Sequence, residues 1–284
     1  MVFGVPLLFV LSSDTTVYES GVLGDSMKIT TRGTGDPEVA VVGAVHGDEP
    51  CGARAIERLL ASDLKFERPT KFVVVNEEAL ERGVRFVDVD LNQVLPGDPN
   101  ADEHERRLAA QLVQEVEGCF ALGIHSTHSF NEPFGVLSNP TDRKRKVFRR
   151  MAVDQVVDTT GLSEGRCVDQ PRFVDVEVGP QGTEKAVEQA EHCVRSFLAT
   201  VGAIPGSARP TPTDYYEVTE IEEKQLGSEY EFLARNFSKV EAGETYARRD
   251  GEELVADESF WPVLASAGGH DTILGYRAQL VGEL

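Results

Sequence analysis

Hydrophobic positions in the first two hundred residues follow two alternating rhythms. Residues 38–45 are nearly all Val, Ala and Gly, the signature of a strand buried on both faces. Residues 50–60 then place Ala53, Ile56, Leu59 and Leu60 at helical spacing, with Pro50 tolerated in a first turn. A short β-branched run at 71–75 predicts another strand. Asp102 is the expected cap of a helix carrying Leu108, Leu112, Val113 and Val116 on one face. Strand-like runs recur at 119–124, 134–137 and 173–178. A basic helical stretch covers 142–153, and Ala186, Val187, Ala190, Val194, Phe197 and Leu198 repeat at helical intervals. Strands alternating with helices predict an α/β fold with a mixed, mostly parallel central sheet flanked by helices.

The character changes after Thr200. Three prolines and two glycines between 202 and 213 mark a linker. Beyond it, short β-type segments are broken by turn signals such as Asp250-Gly251 and Gly268-Gly269. The expected division is an α/β domain over residues 1–205 and a small β-rich domain over 206–284. Residues 1–10 are apolar but contain Pro6 and no positive charge, so a short strand or a lead-in is expected there rather than a signal peptide.

Composition narrows the function. The chain of 284 residues has 28 Lys+Arg against 48 Asp+Glu, a formal charge of −20. No basic stripe is available to replace phosphate counterions, which argues against nucleic acid as a partner, and anionic membrane surfaces are disfavoured for the same reason. No apolar run is long enough to span a bilayer. Arginine outnumbers lysine 20 to 8. Acidic excess with scarce lysine predicts a salt-adapted, halophilic cytoplasmic protein, the plainer alternative being an ordinary acidic enzyme. Cys51, Cys119, Cys167 and Cys193 form no close pair and read as small buried hydrophobes of a reducing compartment.

Four segments carry candidate chemistry. His46-Gly47-Asp48-Glu49 sits where a buried strand hands over to a helix, the place where open α/β sheets bind ligands. His46 and Glu49 can face a common centre, and His125, which closes the strand at 119–124, can supply a third ligand. Zinc accepts this mixture of imidazole and carboxylate; the alternatives are capping roles or a core histidine. Glu177 interrupts the apolar strand 173–178, where an ionised carboxylate is costly unless paired or raised in pKa. It is either a general acid/base or a salt-bridged structural glutamate. Arg85 precedes the polar run from Asp88 to Gln93, and its planar fork suits a carboxylate or a developing oxyanion. His104, His128 and His192 read as surface residues of a turn or of polar helix faces. The run Arg143-Lys144-Arg145-Lys146 reads as a solvated helix face.

Taken in order, His46-Gly47-Asp48-Glu49-Pro50-Cys51-Gly52, Asp90-Leu91-Asn92, His125-Ser126-Thr127 and Glu177-Val178-Gly179-Pro180-Gln181 resemble the landmarks of the succinylglutamate desuccinylase/aspartoacylase family of zinc carboxypeptidase-like hydrolases. The resemblance implies one Zn2+ per chain on His46, Glu49 and His125. It implies that Glu177 deprotonates the attacking water and returns the proton to the leaving amine, that Arg85 polarises the scissile carbonyl, and that Asn92 holds part of the substrate. The implied substrate is a small N-acyl amino acid or related amide, and a homo-oligomer is compatible with it. The pattern departs in three places. Gln93 stands where the family carries an arginine, and a glutamine can hydrogen-bond a carboxylate without pairing its charge. Gly123 stands where an aspartate precedes the third ligand. His270 takes the place of a substrate-binding tyrosine, with Tyr276 as another candidate. A substrate other than N-acetylaspartate or N-succinylglutamate is therefore expected. The competing readings are a carboxypeptidase- or esterase-like hydrolase, a non-catalytic zinc- or ligand-binding relic of the fold, and an acidic scaffold; retention of Glu177 and Arg85 favours catalysis.

Overall fold

A computed structural model describes all residues except 1–6, 13–14, 21–26, 163 and 207–209. The elements in chain order are β1 (Leu7–Ser12), β2 (Thr15–Ser20), β3 (Met27–Arg32), β4 (Val39–Gly43), α1 (Cys51–Leu60), β5 (Thr70–Val74), α2 (Glu77–Arg82), α3 (His104–Glu115), β6 (Phe120–Ser126), β7 (Phe134–Leu137), α4 (Asp142–Phe148), β8 (Gln155–Asp158), β9 (Phe173–Val178) and α5 (Glu184–Thr200). They continue with β10 (Asp214–Glu223), β11 (Tyr230–Phe232), β12 (Thr245–Arg249), β13 (Glu252–Val255), β14 (Trp261–Val263) and β15 (Ile273–Glu283). One twelve-stranded sheet runs in the order β1-β2-β3-β5-β4-β6-β9-β7-β8-β10-β15-β14, and β11-β12-β13 form a separate three-stranded antiparallel sheet. Parallel pairing dominates the centre, from β5 through β4 and β6 to β9 and again from β7 through β8 to β10. The flanks are antiparallel. This is the mixed, mostly parallel α/β architecture that the rhythm of the sequence predicts, with the small β unit in its C-terminal part.

The period of two in the central strands sorts their side chains between two cores. Val39 and Val41 of β4, Phe120, Leu122 and Ile124 of β6, and Val174, Val176 and Val178 of β9 face α1, α4 and α5. Ala40, Val42, Ala121 and Phe173 face the opposite way, toward Leu108 and Leu112 of α3. Alternation therefore puts Gly123 and His125 of β6 and Asp175 and Glu177 of β9 on the α3 side of the sheet. The register pairs Gly123 with Asp175 and His125 with Glu177. Four polar or unusual residues thus share one patch at the C-terminal end of two parallel strands.

Several local expectations change on folding. The helix expected from Asp102 starts at His104, and the cap comes from Asp88, whose Oδ2 accepts the His104 amide at 2.8 Å. His104 itself is buried, with Nε2 3.2 Å from Asn76 Oδ1, rather than on a polar face. The basic helix ends at Phe148, and Lys144 is wholly buried: its Nζ donates to the carbonyls of Ser138, Val168 and Gln170. Its neighbours Arg143 and Arg145 lie over the rings of Phe120 and Tyr215 at 4.4 and 4.8 Å, so three of the four cations of this run are packing elements. The four cysteines are buried and unpaired, as expected. Among the described residues no helix is long and apolar enough to cross a membrane.

Candidate metal centre

The first wall of the site is the turn that leaves β4. Ala44 adopts a left-handed φ of 53°, uncommon for a residue with a side chain, and the turn delivers His46, 3% exposed, and Glu49, 4% exposed, into the interior. The amide of Gly47 donates to the carbonyl of Arg85 at 3.1 Å. A Cβ on Gly47 would lie 2.1 Å from the carbonyl carbon of Ala79, so α2 crosses directly against this turn. Because the obstacle is backbone, Gly47→Ala is expected to cost about 3 kcal/mol, the upper end of overpacking. A denaturation curve that places the variant within about 1 kcal/mol of the parent would show that α2 yields freely.

The second wall is the loop from Arg85 to Asn92. It is held from beneath by Glu105 of α3, fully buried, whose carboxylate accepts the amides of Val87, Asp88 and Val89 at 2.6–3.0 Å. Burial raises the Glu105 carboxyl, but the three backbone donors outweigh it and keep the group ionised. The loop presents Asp90, whose Oδ1 lies 3.0 Å from His46 Nε2 and whose Oδ2 accepts from Arg85 Nε at 3.1 Å. Burial opposes the charge on Asp90, yet His46 and Arg85 together hold its carboxyl well below the usual range.

The third wall is the paired ends of β6 and β9. Nδ1 of His46 and Nδ1 of His125 lie 2.8 and 3.2 Å from the two oxygens of Glu49. The Ser126 amide also donates to Glu49, at 2.9 Å. One ligand atom from each of His46, Glu49 and His125 falls within 4.8 Å of the others. The three side chains make a buried cluster that fits a metal ion, because two neutral imidazoles and a carboxylate are a complete protein donor set for an open site. Glu177, beside His125, is raised to about 7, first by burial and then by Glu49 and Asp175, with His125 opposing. The Cys51 thiol is pushed up to about 12 by burial and by Glu49, which leaves it protonated and chemically quiet.

These residues open into a cavity of about 170 Å³, lined by His46, Glu49, Arg85, Asn92, His125 and Glu177. Its far side is built by Thr127, His128, Ser129 and Gln181, and by Leu264, Ser266, Gly269, His270, Ile273 and Tyr276. Asn92 faces the cavity while its Oδ1 accepts the Cys167 amide at 2.8 Å. His270 stands exposed at the rim, its Nδ1 accepting the Thr272 amide. Gln93 is exposed and does not line the cavity. Arg166 is bound to both oxygens of Asp169 and to the Thr159 carbonyl, and Arg172 lies at a separate apolar cleft beside α3. Neither lines the cavity. The sequence reading missed Asp90 as a partner of His46, Asp175 beside His125, and the wall at 127–129, although the polar run after His125 was a signal for the last. His192 is exposed on α5 and lines none of this cavity.

Comparison with known proteins places this geometry on a known fold. Three solved structures superpose on nearly the whole chain. A succinylglutamate desuccinylase from Silicibacter sp. TM1040 is 16% identical, with a TM-score of 0.75, over 97% of this chain and 98% of that one. A succinylglutamate desuccinylase/aspartoacylase from Rhodobacter sphaeroides is 17% identical, with a TM-score of 0.77, over 95% and 97%. The product-bound ectoine utilization protein EutE (DoeB) from Ruegeria pomeroyi is 18% identical, with a TM-score of 0.73, over 97% and 98%. Identities this low establish the fold. A comparison with curated protein sequences finds no match. The profile of the succinylglutamate desuccinylase/aspartoacylase catalytic domain matches residues 35–201, a span that holds the turn after β4, the Arg85 loop and the ends of β6 and β9. The chain therefore belongs to the succinylglutamate desuccinylase/aspartoacylase family of hydrolases.

Proposed function

We propose that the chain is a zinc-dependent amidohydrolase that removes the acyl group from an N-acyl amino acid or a related small amide. The observation that carries this reading is the meeting, in one cavity, of the His46–Glu49–His125 cluster, a glutamate raised toward neutrality and an arginine. The mixed imidazole and carboxylate donors favour zinc over magnesium or calcium, which prefer oxygen ligands. When bound there, zinc would lower the pKa of a water and act as a Lewis acid toward the substrate carbonyl.

The protein supplies the proton traffic and the positioning. Glu177 accepts a proton from the attacking water as its oxygen bonds to the amide carbon. It returns that proton to the amide nitrogen as the C–N bond breaks, giving an amine and a carboxylic acid whose remaining proton passes to the amine, so that a carboxylate and an ammonium leave. Arg85 is held by Asp90 and Glu49 at 3.1 and 3.2 Å, which uses only part of its donor fork and leaves N–H groups for the oxygen that gains negative charge. Asn92 orients the substrate beside Arg85, and His270 reads it from the rim. Arg85 is the only lysine or arginine among the described residues lining the cavity. That supports a substrate with fewer anionic groups than N-succinylglutamate, and Gln93 takes at most a hydrogen-bonding part from outside the cavity.

The test is hydrolysis of a panel of N-acyl amino acids and small amides in high-salt buffer, before chelation, after it and after zinc is restored. Turnover that disappears with the chelator and returns with zinc is expected. Folded, zinc-loaded protein that turns over none of the panel would replace the enzyme reading with that of a metal-holding binding module.

A further inference from the structure

We infer that Asp175 is a positioning residue for the metal ligand His125, supplied from the neighbouring strand in place of a side chain at position 123. The inference rests on the metal-centre reading above and goes beyond it by assigning a residue that no sequence motif marks.

The two histidines of the cluster are arranged alike. Each turns Nδ1 toward Glu49 and sends Nε2 the other way. Behind His46, Nε2 meets Asp90 Oδ1 at 3.0 Å. Behind His125, the group facing Nε2 is Asp175 Oδ1, at 3.8 Å. His125 Nε2 and Asp175 Oδ1 are both buried and neither has a hydrogen-bond partner, an arrangement native interiors avoid unless it serves something. A histidine that gives Nδ1 to a metal must carry its proton on Nε2 and can only donate there, so an acceptor behind the ring fixes both tautomer and orientation.

Gly123 explains how the carboxylate reaches this place. Gly123 and Asp175 are register partners on β6 and β9. A Cβ built on Gly123 would lie 2.1 Å from Asp175 Oδ1. The space that a side chain two residues before His125 would occupy is therefore filled by the Asp175 carboxylate, and the absence of a side chain at 123 is the condition for its being there. Asp175 is 4% exposed, so an ionised carboxylate would be an expensive residue in a strand that needed only packing. The two cations whose charge reaches Asp175 besides His125 are engaged elsewhere: Arg166 binds Asp169 and the Thr159 carbonyl, and Lys144 donates to three carbonyls.

The experiment measures zinc affinity by competition with a chelating dye, with a thermal melt of each chelated protein alongside. Asp175→Gly is expected to weaken zinc about 10–100-fold, the usual cost of losing a carboxylate behind a metal histidine. Asp175→Asn, of equal size but without charge, is expected to weaken it about 10-fold. The double variant Gly123→Asp/Asp175→Gly, which moves the carboxylate to the other strand, is expected to recover most of the loss. Zinc affinity equal to the parent's in Asp175→Gly, or a lower melting temperature with unchanged affinity, would reduce Asp175 to a structural residue and overturn the inference. If Asp175→Gly does not fold, parental affinity in Asp175→Asn overturns it instead. A parent chain that binds no zinc at all would overturn the proposed function and this inference together, whereas a zinc-binding parent with unaffected variants overturns only this one.

Discussion

Glu177→Gln is expected to lower kcat by about 10³-fold, within the range for loss of a general acid–base, while zinc stays bound. The substitution keeps the shape of the side chain and removes its ability to take a proton. His46, Glu49 and His125, the cluster that fits a metal ion, are untouched. The same residue sets the pH dependence. In the proposed reaction Glu177 works as its carboxylate, so kcat/KM should fall as pH drops through its pKa. Burial lifts that value to about 7, and a dication beside it pulls the value back down by stabilising the charged form. The acidic limb of the profile is therefore expected between an ordinary glutamate value and 7, and it should be missing from the residual activity of Glu177→Gln. A variant that keeps both its rate and its acidic limb would remove Glu177 from the reaction.

The second large effect is removal of the metal. At free zinc about 1000 times its dissociation constant, binding to the folded state alone contributes about 4 kcal/mol. For a chain of this size that corresponds to roughly 7 °C in melting temperature. Chelation is thus expected to lower the melt by about that amount and to abolish turnover, with zinc restoring both and magnesium restoring neither. His125→Ala, which deletes one of the three ligands, should show the lower melt from the start and little response to chelator. An equal response in parent and variant would place the stabilising metal somewhere other than this cluster.

What could be read from the sequence was what local pattern decides. The largely apolar runs of β4, β6 and β9 announce central strands, and His125 and Glu177 stand out because they interrupt those runs. The spacing of α5 was equally legible. The antiparallel strands β2 and β3 and the short helix α2 were not recognised, since their residues mix polar and apolar types without a clean period. Buried charge was the larger gap. Glu105 sits in an ordinary-looking polar helix start and Lys144 in a run of cations, yet both are fully buried, with partners at 87–89 and at 168 and 170 that lie 16 to 26 residues away. Asp175 was passed over for the same reason: its meaning lies in Gly123, fifty-two positions earlier and one strand away. Gln93 shows the opposite limit, since adjacency to Asn92 says nothing about which of the two faces the cavity.

Asn236 fastens together two of the stretches that build the far side of the cavity. Its side chain donates to the carbonyls of Ser129 and Ala265 and accepts the Ala265 amide, all at 2.8 Å. It thereby ties the loop carrying His128 and Ser129 to the segment carrying Ser266 and His270, two stretches that line the cavity but lie outside the His46–Glu49–His125 cluster. In a directed-evolution library these loop positions can be randomised while the strand ends are left alone, because loops tolerate change that buried strands do not. Asn236 is the position to hold constant in such a library. With the clasp intact the two loops should accept mutations in combination; without it, each would drift independently and new substrate preferences would arise with a blurred rather than a shifted profile.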